Sequence, residues 1–177
     1  MDKSKRKTIE GWIDKAGRQL QVAREHSESY YRCSEAIEAA QECVELSVKS
    51  VLSLLGVDYK LKHKWDREEF GDVAKQIKEA QLLDKLAEEN LHHCSRLPRL
   101  LLLANLWGHF YLPAKYGFAE YLAAAQDLFA KREAELAVEH AGECYQAALE
   151  LRHLDEDKLA AISRRQDHGS KRGAGAA

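Results

Sequence analysis

The chain has 177 residues, with 27 Lys and Arg against 29 Asp and Glu, for a formal net charge of −2. That length suits one domain with a real core, and the balanced charge excludes a global basic field for gripping nucleic acid, so any phosphate binding must use a local patch. Hydrophobic residues make up 45% of the chain, with only 10 Gly and 2 Pro; few breakers among many helix formers predict an all-α fold.

Residues 1–7 are charged and are expected to fray. Ile9, Trp12, Ile13, Ala16, Leu20 and Ala23 then recur at helical spacing and predict a first helix ending near His26. Tyr30 and Tyr31 lead into a second, with an apolar face of Cys33, Ile37, Ala40, Val44, Val48, Val51, Leu52 and Leu55. Gly56 follows as a left-handed C-terminal cap. The short connection predicts an antiparallel hairpin.

Residues 57–65 form a connection carrying Lys60, Lys62, His63 and Lys64. Asp66 and Glu69 have capping-box spacing for a third helix, with Phe70, Val73, Ala74 and Ile77 on its apolar face. A further short helix fits 79–91. Ser95 is placed as an N-cap and Pro98 in a first turn. The helix from Arg96 to about Tyr111 is apolar nearly all round, which predicts the central, most buried element. Its apolar run is too short to span a bilayer.

Pro113 is expected to stop that helix, leaving 112–119 as a turn-rich connection and the alanine-rich 120–128 open between helix and loop. A last long helix is predicted from about Phe129 to His153, with Ala134, Ala137, Val138, Ala141, Tyr145 and Ala148 inward; these mostly small side chains permit close packing. The fold expected is an up-and-down bundle of four to five antiparallel helices over residues 1–153. Residues 154–177, charged and then Gly- and Ala-rich, are expected to remain a disordered tail.

Cys33, Cys43, Cys94 and Cys144 make no C-x-x-C pair, which predicts reduced thiols in a reducing compartment. No apolar segment follows the basic start, so no signal peptide is expected and a cytoplasmic location is. The chain carries no G-x-S-x-G, P-loop, H-E-x-x-H or dinucleotide fingerprint. Glu89 and His92 spell one Glu-x-x-His without the second that a di-iron bundle needs. His92, His93 and Cys94 are adjacent, so on a helix they point about 100° apart and do not converge on one ion. No metal and no cofactor are expected.

Two features point to phosphate chemistry. The run Lys60, Lys62, His63, Lys64 concentrates cations in a loop, and Lys115-Tyr116-Gly117 sets a cation beside an aromatic ring, a pair suited to holding a phosphate and stacking a base. Glu45 and Lys49 stand at (i, i+4) and read as a helix ion pair.

The order of features resembles the HEPN (higher eukaryotes and prokaryotes nucleotide-binding) domain. It is carried by the Trp-containing first helix, Ala39-Ala40-Gln41 through Glu45 and Lys49, the Gly56 stop, His63, the stretch Phe110-Tyr111-Leu112-Pro113-Ala114-Lys115-Tyr116, and Glu133-Ala134-Glu135-Leu136-Ala137-Val138. The resemblance covers about residues 8–152. It implies a helical bundle, usually a homodimer, often paired with a minimal nucleotidyltransferase in a toxin–antitoxin-type pair. Many members are metal-independent ribonucleases with Arg, four to six residues, then His. No such spacing occurs here: Arg18 to His26 and Arg132 to His140 have seven intervening residues, and Arg164 to His168 has three. The resemblance therefore implies nucleotide or RNA binding, with Lys115, Tyr116, His63 and Lys64 as contacts, more than cleavage. The alternatives are a ribonuclease with a divergent site, using His63 or His109 with Lys115, and a helical protein-interaction module without a ligand.

Overall fold

The computed structural model describes residues 3–63 and 65–163. Three long helices form the body: α1 (Lys3–Ser27), α2 (Cys33–Leu54) and, far along the chain, α8 (Lys131–Arg152). α1 and α8 each pack along α2 and against one another. Between them lie α3 (Arg67–Glu79), α4 (Leu82–Glu88), α5 (Leu97–Gly108), α6 (Tyr111–Tyr116) and α7 (Ala125–Leu128), and α9 (Glu156–Ser163) follows. No helix among the described residues is long and apolar enough to cross a membrane.

α2, not α5, is the central element: 17 of its 22 residues are buried, against 6 of 12 in α5. α2 has α1, α8, α5 and α6 around it, so even its polar positions are covered. Ser50 meets this by donating to the Leu46 carbonyl, 2.7 Å away. α5 turns Leu102 and Leu106 to solvent; its all-round apolarity does not reflect all-round burial. On α8, Ala134, Ala137, Ala141, Ala147 and Ala148 are fully buried, and their small size lets the helix lie close on α2.

The capping box at α3 forms as its spacing predicts: Asp66 accepts from the Glu69 amide and Glu69 accepts from the Asp66 amide, both at 3.0 Å. Asp66→Ala should lower stability by about 1 kcal/mol, read from the urea midpoint; an unchanged midpoint would mean that α3 needs no such cap. The entry to α5 is built differently from expectation. A 3-10 turn at Cys94–Arg96 precedes it, and Ser95 donates to the His92 carbonyl instead of capping α5. The Glu150 carboxylate from α8 receives the backbone amides of His93 and Cys94.

Pro113 does not end a helix. It sits in the first turn of α6, where a missing N–H costs nothing. Gly117 closes α6 with φ of +73°, and a Cβ there would collide with the Ala123 carbonyl. The stretch left open resolves into a 3-10 turn at Ala119–Tyr121 and then α7, and Phe118 and Ala123 exchange both backbone hydrogen bonds to close the loop. A further correction concerns the start of the expected tail. α9 forms within it and buries Leu159 and Ile162, packing on α4. Two apolar residues at (i, i+3) give the segment a stripe that its overall charge conceals. Residues 164–177 lie outside the described residues.

Candidate functional site

Glu45 on α2 is the centre of a polar cluster in an otherwise apolar surrounding. Its carboxylate accepts from Lys49 Nζ at 2.5 Å, from Gln41 Nε2 at 2.9 Å, and meets His63 Nδ1 at 2.6 Å. Gln41, Glu45 and Lys49 follow at (i, i+4), one above the other on a single helix face. Lys49 is 7% exposed. Burial works to raise the Glu45 pKa, but its three donors outweigh that and hold it below the ordinary carboxylate value.

The loop after α2 delivers His63 to this carboxylate. Lys60 and Lys62 hold the loop in place by pairing with the buried Glu69, whose pKa is pulled down to about 2 by Lys62 first and then Lys60. Trp65 Nε1 donates to the Lys60 carbonyl at 3.1 Å. Those two lysines are therefore engaged as loop anchors. Lys64 lies outside the described residues.

α6 brings the second half of the cluster. The His63 ring stacks on Tyr111, with centroids 4.1 Å apart and planes 11° apart. Lys115 Nζ stands 3.4 Å from the Tyr111 hydroxyl, 5.4 Å over the Tyr111 ring and 5.6 Å over the Tyr116 ring. The Tyr111 hydrogen bond keeps the ammonium pKa above its ordinary value. Glu38, on α2, is 3.8 Å away. Tyr116 is 67% exposed.

The structure thus joins His63 and Lys115 through Tyr111, which sequence reading left without a role. The signal for it is weak: Tyr111 is one turn before Lys115, but only the folded loop shows that His63 lies against it. Glu45 is likewise more than a partner for Lys49, because it also orients His63. Gln41 Oε1 and Asn105 Oδ1 are buried acceptors with no hydrogen-bond partner among the described residues, and Asn105 lines the same small pocket as Glu45, Lys49 and His63.

Other candidates are employed elsewhere. His93 Nδ1 meets Glu150 at 2.8 Å and Cys94 is buried, its thiol on the Ala147 carbonyl. His140 accepts from Trp107 Nε1 at 3.2 Å, and burial holds its pKa down. His109 is exposed just past α5.

The family model of the HEPN domain matches residues 9–151. The chain belongs to the HEPN family. The match runs from α1 to the end of α8 and so takes in every residue of the cluster. No curated protein and no solved structure matches the chain.

Proposed function

We propose that this HEPN protein binds a nucleotide or RNA at the cluster of Glu45, His63, Tyr111, Lys115 and Tyr116. The observation that carries the reading is the stacked His63–Tyr111 pair with the Lys115 ammonium beside it, an aromatic surface adjoining a cation. Lys115 supplies charge for a phosphate, and the exposed Tyr116 ring offers a stacking face. Gln41 and Asn105 each hold an unused acceptor nearby, which suits the amino group of a base. Lys64, next to His63 in sequence, is the further phosphate contact of this reading.

The cluster is tested by thermal unfolding of the full chain with ATP, GTP, AMP or a short RNA. One of these should raise Tm by several degrees, and Lys115→Ala with His63→Ala should remove the shift. Binding unchanged in the double variant would show that the ligand sits elsewhere. The protein is further proposed to act as a homodimer in the cytoplasm and to pair with a nucleotidyltransferase in a toxin–antitoxin-type system; co-purification with that partner and the mass of the free chain in solution test these points.

A second reading is favoured by the Glu45–His63 contact. A carboxylate at Nδ1 fixes the imidazole so that Nε2 is left for proton transfer. His63, rather than His109, then serves as acid or base in metal-independent RNA cleavage, with Lys115 stabilising phosphate charge. EDTA-treated protein should cut RNA and His63→Ala should not; absence of cutting by the wild type, or cutting that survives His63→Ala, removes this reading.

A further inference from the structure

We propose that the groove between α1 and α8 is a separate anion site, taking neighbouring phosphates of an oligophosphate or phosphodiester chain. It shares no residue with the Glu45–Lys115 cluster. Asp14, Gly17, Gln21 and Arg24 recur at steps of three and four along α1, and Arg18 adjoins Gly17 at the edge of the same side. With Leu20 and Tyr145 they line a cleft of about 490 Å³.

Gly17 shapes the cleft. A Cβ at Gly17 would lie 2.6 Å from the Tyr145 hydroxyl, so a larger residue there would push this ring from its place across α1. Arg24 Nη2 comes within about 4.0 Å of where a Cβ on Gly142 of α8 would stand. Arg24 therefore reaches over α8 while Arg18 stands on the α1 side.

The charges in the groove are unspent. Neither the Arg18 nor the Arg24 guanidinium meets an acceptor or a carboxylate among the described residues, and the Tyr145 hydroxyl has no protein partner among them. The one lining carboxylate, Asp14, is already satisfied by Arg152 at 2.6 Å. Gln21 donates to Glu25 at 3.0 Å. What remains is two guanidinium forks and a phenol donor along a shallow, open groove. Guanidinium forks match phosphate oxygens two at a time. Arg18 and Arg24 are six residues apart, about 9 Å along the helix axis at 1.5 Å per residue, a span that their long side chains can close onto phosphates of one chain.

The test uses the full chain carrying Lys115→Ala, so that the other cluster does not contribute. It is titrated calorimetrically with inorganic triphosphate and, separately, with a short single-stranded RNA. At least one should bind, and adding Arg18→Gln and Arg24→Gln should weaken it by about tenfold or more, the loss expected for two charge-assisted contacts. Tyr145→Phe should weaken it less. Triphosphate binding lost in the arginine variant supports a free oligophosphate as ligand, whereas loss of RNA binding alone supports a nucleic-acid strand. Both arginines are exposed, so an unchanged Tm will show that the variant remains folded. Binding of neither probe, or equal affinity in the arginine variant, overturns the proposal without bearing on the Glu45–Lys115 cluster.

Discussion

Glu45→Ala should lower the stability of the protein by roughly 3 kcal/mol or more, the usual cost of leaving one partner of a buried ion pair alone. Lys49 is the reason. It is 7% exposed, and Glu45 is the carboxylate that pairs with it. The substitution also frees Gln41 and His63. Urea unfolding at neutral pH measures the effect, and a loss below 1 kcal/mol would show that water reaches Lys49 freely. Replacing both partners, Glu45→Leu with Lys49→Met, should restore much of the stability, because no buried charge is then orphaned. The pair also makes stability depend on pH. The folded-state pKa of Glu45 lies below its ordinary value. Its contribution is therefore complete above the ordinary carboxylate pKa and is lost as pH falls through the folded value. The double variant should lack this part of the acid sensitivity.

Ala141→Leu should cost about 3 kcal/mol, the upper part of the range for an overfilled core. Ala141 is fully buried where α8 lies on α2, and its carbonyl is 3.7 Å from the Cys43 thiol. At about 2–4 °C per kcal/mol for a domain of this size, calorimetry will show a clear drop in Tm. Leu102→Ala, on the exposed side of α5, is the contrast and should change little. Equal effects of the two would mean that α8 does not pack closely on α2.

Both expectations bear on what the amino-acid pattern discloses. Helix positions were legible because apolar residues recur at 3.6-residue spacing: Ile9, Ile13, Ala16, Leu20 and Ala23 all face inward on α1. The alanine face of α8 was legible for the same reason. Rank of burial was not. Ser47, Ser50 and Lys49 are buried because α2 is surrounded, while Leu102 and Leu106 are exposed because α5 is not; periodicity reports a direction and says nothing of how many neighbours stand there. Of the site, the local pair Lys115-Tyr116 and the Glu45–Lys49 spacing could be read from the chain. The His63–Tyr111 stack could not, since it depends on how a loop returns to α6, 48 positions later. The start of the tail was misread because composition averages over the two apolar residues, Leu159 and Ile162, that anchor α9.

The placement of α8 has a consequence for synthesis. α1 and α2 adjoin in sequence and can pair as soon as both have emerged, since closing a short connection costs little. The partner that covers the other flank of α2 ends at Arg152, 98 residues after Leu54. At the usual rate of about 5–20 residues per second, roughly 5–20 s pass before that helix is complete. Throughout this interval the face of α2 bearing Cys43 and Val44 is uncovered, so the growing chain presents an apolar stripe to holding chaperones for longer than it takes the first two helices to form.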